Sequence, residues 1–128
     1  MAGELVLIVE DNEKNLKLVR DVLQFKGYRT LEATTATDGL ALATEHQPTL
    51  VLMDIQLPDL DGVTALQRLR ANPATAALIV VALTAFAMRE ERDRFLGAGF
   101  DGYLVKPINV KEFPGQVQEY CARASQEQ

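Results

Sequence analysis

LVLIVEDN, residues 5–12, decides how this chain is read. Five consecutive apolar residues end abruptly on two carboxylates and an asparagine. A run so short and so uniformly apolar is a strand buried on both faces, as in a parallel sheet. The same construction returns three times. LVLM at 50–53 runs into Asp54, LIVVAL at 78–83 into Thr84, and YLV at 103–105 into Lys106. A weaker strand, suited to a sheet edge, falls at residues 29–33.

Helical periodicity fills the intervals. Leu16, Val19 and Leu23 recur at 3.6-residue spacing, Leu18, Val22 and Phe25 widen the stripe, and Gly27 supplies a left-handed stop. A second helix is expected after Asp38, with Leu40 and Ala43. A third runs from about Gly62 through Val63, Leu66 and Leu69, ending before Pro73. A fourth spans about residues 88–96, with Gly97 and Gly99 behind it. A fifth follows Asn109 and carries Phe113, Val117 and Tyr120. Residues 124–128 are expected to be a frayed tail, leaving one domain at 1–123. Strand and helix thus alternate five times. Right-handed crossovers make this an α/β fold, a five-stranded doubly wound parallel sheet with five helices, of the flavodoxin-like kind.

With 128 residues the chain fits one domain able to bury a core. The net charge of −5 argues against direct contact with nucleic acid, which needs a basic surface. No apolar run approaches the ~20 residues that cross a bilayer, so no membrane partner is expected. The N-terminus lacks the basic region and cleavage site of a signal peptide. The single cysteine, Cys121, cannot form an internal disulfide, and a reducing cytoplasm is the natural compartment.

In a doubly wound sheet, ligands sit beyond the carboxyl ends of the strands. Glu10 and Asp11, Asp54, Thr84 and Lys106 all fall there. Carboxylates gathered in one small volume repel unless a cation joins them. Oxygen ligands suit a hard ion, and a partly hydrated site open to phosphate suits Mg2+ better than Ca2+. In this reading Asp54 is the nucleophile, since a carboxylate can form an acyl phosphate. Asp11 and Asp54 hold Mg2+ directly and Glu10 acts through water. Lys106 and the Thr84 hydroxyl serve the phosphoryl oxygens.

Taken singly, each residue has a plainer explanation. Glu10 and Asp11 could complement a helix dipole, Asp54 could be a loop aspartate, Thr84 a strand residue, and Lys106-Pro107 a turn. Their joint placement at four strand ends is much harder to explain that way. Asp59, Asp61 and Gly62 read as turn and helix-start residues, His46 as a solvated helix end, and Cys121 as one side of an amphipathic helix.

VLIVEDNEKN (6–15), LMDIQLPDLDG (52–62), LTAFAM (83–88) and GYLVKPI (102–108) together resemble the receiver domains of response regulators, over essentially the whole chain. Within that family the wording is most like a stand-alone cell-cycle regulator. The resemblance implies phosphorylation of Asp54 by a sensor histidine kinase or histidine phosphotransfer protein. It implies Mg2+ at Glu10, Asp11, Asp54 and the backbone carbonyl of Gln56, and a cis Lys106-Pro107 peptide. It also implies a switch in which Thr84 moves toward the phosphoryl group and Tyr103 changes rotamer. Phe86, Tyr103 and the fifth helix are then the surface that meets a downstream protein, on the face of the fourth helix, fifth strand and fifth helix. Two features depart from the family pattern. Glu10 stands where aspartate is also common. Asn109 and Glu112 look like a capping box, yet Pro114 follows closely and would crowd the Val110 carbonyl.

Four functions are therefore in play. The first is a phosphorylation-controlled binding module, a signalling switch rather than an enzyme. The second is a phosphorelay intermediate or phosphate sink. The third is a receiver cut from a hybrid kinase or larger regulator. The fourth, a flavodoxin-like cofactor binder, ranks far below because EDNEKN is not a glycine-rich phosphate loop.

Overall fold

The computed structural model describes residues 3–85 and 88–126. The elements run β1 (Leu5–Val9), α1 (Glu13–Phe25), β2 (Arg29–Ala33), α2 (Ala36–His46), β3 (Leu50–Asp54), α3 (Gly62–Ala71), β4 (Ile79–Thr84), α4 (Arg89–Ala98), β5 (Gly102–Val105) and α5 (Phe113–Gln126). All strand pairs are parallel, in the order β2-β1-β3-β4-β5. The chain steps from β1 out to β2, then returns across β1 to β3, so the sheet's direction of growth reverses between β1 and β3. That reversal opens the crevice in which doubly wound sheets bind ligands.

Two apolar layers flank the sheet. Even-numbered residues of β1 and β3 join Leu16, Val19, Leu23, Phe113 and Val117 under α1 and α5. Odd-numbered residues join Ala43, Leu66, Leu69 and Phe95 under α2, α3 and α4. Both faces of β1, β3 and β4 are covered, which is why their sequences are apolar without alternation. The edge strand β2 is buried only at Ala33.

Several helix limits differ from the sequence-based expectations, each for a local reason. Helix α2 begins at Ala36 rather than after Asp38, because the Thr35 side chain caps it by accepting from the Asp38 N–H. Helix α4 continues through Gly97 to Ala98, and the residue at positive φ is Gly99 (φ 113°). Phe25, placed on the buried stripe of α1, is the last residue of the helix and is 85% exposed. Helix α5 begins at Phe113, not after Asn109. The Asn109 side chain accepts from the N–H groups of Lys111 and Glu112 and closes a separate turn. Pro114 is thereby the second residue of α5, in the first turn, where helical N–H groups lack intrahelical acceptors. The expected clash with the Val110 carbonyl does not arise, because Val110 lies outside the helix. Helix α5 also extends to Gln126, into the segment expected to be a tail, and Ala124 packs against the core.

Candidate functional site

Register alone brings the strand ends together. Val9 pairs with Met53, Asp54 with Leu83, and Thr84 with Val105. Glu10, Asp54, Thr84 and Lys106 therefore leave the sheet along one edge, with Asp54 at its centre. Asp54 and Thr84, expected just past their strands, are in fact their last residues. The Ile55 N–H donates to the Leu83 carbonyl (3.0 Å) and the Lys106 N–H to that of Thr84 (2.7 Å). These bonds fix the direction in which both chains leave the sheet. The Lys106-Pro107 peptide is cis.

The side chains converge. The Lys106 ammonium donates to Asp54 Oδ2 and to Glu10 Oε1, each at 3.1 Å. Glu10 Oε2 accepts from the Asn12 N–H (3.2 Å), and Asp54 Oδ1 from the Gln56 N–H (3.0 Å). Glu10, Asp11 and Asp54 each offer a carboxylate oxygen, all within 4.8 Å of one another. Glu10 and Asp54 are buried, whereas Asp11 is exposed. Burial, reinforced by the neighbouring Asp54 carboxylate, raises Glu10 to about 7 from an ordinary 4.5. Burial pushes the Lys106 ammonium down, but its hydrogen bonds to Asp54 and Glu10 outweigh that and raise it. Three crowded oxygen donors with one side open to water suit a small, partly hydrated hard cation, so the residues fit Mg2+.

Strand alternation puts Thr84 on the same sheet face as Ala82, and Tyr103 pairs with Ala82. Thr84 and Tyr103 thus share the face covered by α4, and Tyr103 is half-buried against that apolar layer. Phe86, the remaining expected switch residue, lies outside the described residues.

Some residues behave as read and others were missed. Asp61 caps α3, accepting from the Thr64 N–H (2.8 Å) and hydroxyl (3.0 Å). Gly62 closes the loop by donating its N–H to the Ile55 carbonyl (2.8 Å), where a Cβ would lie 2.8 Å from Ile55 Cα. His46 ends α2, exposed. Cys121 is buried, and burial pushes its thiol up to about 12. The Glu10–Lys106 ion pair was not foreseen. Nor was the role of Asp59. Its carboxylate crosses to the start of α2, accepting from the N–H groups of Ala36 (2.8 Å) and Thr37 (2.9 Å) and from the Thr37 hydroxyl (2.6 Å). Those bonds, the Thr37 hydroxyl foremost, hold Asp59 well below the usual carboxylate range. The one hint in the sequence is that PDLDG supplies two acids while α3 needs a single cap.

Similarity to known proteins extends over nearly the whole chain. The family described as Response regulator receiver domain matches residues 6–118. The polar-differentiation response regulator DivK of Brucella ovis is 40% identical over 119 residues, covering 93% of this chain and 97% of the relative. Among solved structures, the receiver domain of a Pseudomonas aeruginosa sensor histidine kinase, with a magnesium ion coordinated in its active-site cleft, has a TM-score of 0.86 and 32% identity, over 94% of this chain and 99% of that one. A CheY-like receiver domain protein from Methanospirillum hungatei has a TM-score of 0.88 and 29% identity, over 99% and 100% of the two chains.

Proposed function

The chain belongs to the response regulator receiver domain family of two-component signalling, and from that membership we propose that it accepts a phosphoryl group on Asp54 and changes its affinity for a partner protein. The donor is the phosphohistidine of a sensor histidine kinase or histidine phosphotransfer protein. One observation carries the reading. Asp54 sits buried at the reversal of the sheet, with Glu10 and Asp11 on one side and the Lys106 ammonium bonded to its Oδ2.

An Asp54 carboxylate oxygen attacks phosphorus in line, forming the acyl phosphate O–P bond as the P–N bond to the donor imidazole breaks. The imidazole keeps the electron pair and takes up a proton. The Gln56 N–H on Oδ1 orients the carboxylate so that one oxygen remains for attack. Glu10, Asp11, Asp54 and the Gln56 carbonyl would hold Mg2+, which when bound neutralises charge on the phosphoryl oxygens. Lys106 is already within hydrogen-bond reach of Asp54 and transfers its contact to a phosphoryl oxygen. The proposed compartment is the cytoplasm, in keeping with one buried, free thiol at Cys121.

Output follows from Thr84. Its hydroxyl is drawn to the phosphoryl group, and Tyr103, on the same sheet face, enters the space left behind. Because the Thr84 contact exists only with phosphate, it gives phosphate the differential affinity needed to bias two states. The surface reached is the α4–β5–α5 face, which carries a shallow cavity of about 310 Å³ lined by Tyr103, Val105, Pro107, Glu112 and Gln116 among others. The likeness to a receiver domain of a sensor histidine kinase keeps a relay or hybrid-kinase role as the second reading.

Amide hydrogen exchange with and without beryllofluoride, a phosphoryl mimic, tests the switch. Changes are expected at the Asp11 and Asp54 loops, at Thr84 and across residues 103–115. Changes confined to the two loops would mean that no signal leaves the site, and would favour the phosphate-sink reading.

A further inference from the structure

The loop from Asp54 to Gly62 carries Gln56, and its two ends are firmly tied. Ile55 is bonded to Leu83, Gly62 to Ile55, and Gln56 to Asp54. Its middle is different. Among the described residues, the hydrogen bonds that hold residues 57–60 from outside the loop are those of Asp59, and all run to the first turn of α2. This contact spans 22 residues of sequence and joins the acceptor loop to a helix that supplies no site residue.

We propose that Asp59 is a positioning residue for the metal and phosphoryl site, holding the acceptor loop against the N-terminus of α2 so that Gln56 stays seated beside Asp54. The inference rests on the site reading above. Three acceptor contacts converge on one carboxylate, and two come from backbone N–H groups that no helical carbonyl can satisfy. The helix end favours the negative charge as well. Without the carboxylate, α2 keeps its own cap at Thr35, whereas the middle of the loop loses its outside hydrogen bonds and keeps only the packing of Leu57 and Leu60 on the core. The segment between Gln56 and its bridge partner Asp61 is then less constrained, and the Gln56 peptide, its N–H on Asp54 Oδ1 and its carbonyl, shifts with it. A backbone ligand can be held only by its loop, so the effect falls on the site rather than on the fold.

Thr35→Ala is the matched control, because it weakens the same helix end by removing its cap without touching the loop. Mg2+ affinity is measured by calorimetry, and the Mg2+ dependence of labelling by a small acyl phosphate is followed in parallel. Asp59→Ala should raise the Mg2+ Kd about tenfold, the range seen when groups supporting metal ligands are removed. The Mg2+ midpoint of labelling should shift by the same factor, with most of the rate restored at saturating Mg2+. Asp59→Asn, which keeps one acceptor oxygen, should fall between, and it carries the comparison if the alanine variant does not fold. Thr35→Ala should keep the wild-type Kd. A wild-type Kd in both Asp59 variants, or an equal shift in Thr35→Ala, overturns the inference. A wild-type chain that binds no Mg2+ overturns the site reading and this inference with it.

Discussion

Glu10→Gln should stabilise the metal-free protein at pH 8 and do so far less at pH 5. Glu10 is fully buried, and its carboxylate shares the ammonium of Lys106 with Asp54. Burial foremost, and then Asp54, lifts it from 4.5 to about 7. A carboxyl raised on folding stabilises the fold relative to its charged state below pH 4.5. That contribution is lost as pH rises through about 7. Glutamine mimics the neutral acid at every pH, so the variant escapes the loss. A rise of this size corresponds to roughly 3 kcal/mol as an upper bound, and the weaker bond from Lys106 to an amide returns part of it, leaving roughly 1–2 kcal/mol. Urea unfolding of both proteins in chelator at pH 5 and pH 8 reads the difference. Mg2+ should narrow the difference at pH 8, since each protein gains according to its own affinity, about 2.7 kcal/mol at 100 times Kd, and wild type binds the ion more tightly. Equal differences at the two pH values, or a variant less stable than wild type at pH 8 in chelator, would refute the reasoning.

Three further outcomes follow. Phe95→Ala should cost about 3–5 kcal/mol in urea unfolding, because Phe95 is buried and packs edge-on against Phe100 with ring centroids 6.3 Å apart. Phe25→Ser, on the exposed end of α1, should stay within about 0.5 kcal/mol of wild type. In calorimetric Mg2+ titration, Asp11→Asn and Asp54→Asn should each lose more affinity than Glu10→Gln, as a direct ligand loses more than one acting through water. A larger loss for Glu10→Gln would reverse the assigned roles.

The layered fold was legible because burial on both faces leaves a plain mark. LVLIV and LVLM cannot be amphipathic elements, and the polar residues that end them align along one edge wherever the strands are parallel. That is why Glu10, Asp54, Thr84 and Lys106 could be grouped before any contact was known. What stayed hidden depends on contacts distant in sequence. The start of α2 lies in TTAT, where several threonines could cap, and the choice of Thr35 depends on how the helix seats on β1. The Asp59 contact reaches across 22 residues and has no periodic signature. Phe25 obeys the apolar spacing of α1 yet, as its last residue, stays exposed, so spacing misjudged its burial. Gly97 and Gly99 look alike as helix stops, and only backbone φ separates them. Pro114 looked disruptive because Asn109 was taken as the helix start, and the added turn at Asn109 removes the conflict.

The central claim is that Asp54 alone takes the phosphoryl group. Incubation with acetyl phosphate and Mg2+, followed by intact-mass measurement and borohydride trapping of the acyl phosphate, tests it directly. The wild-type chain should gain one phosphoryl group and carry the trapped mark at Asp54. Asp54→Asn, which keeps the shape of the side chain but lacks the nucleophilic carboxylate, should gain none. Equal labelling of Asp54→Asn, or a mark at Glu10 or Asp11 in the wild-type chain, would contradict the account.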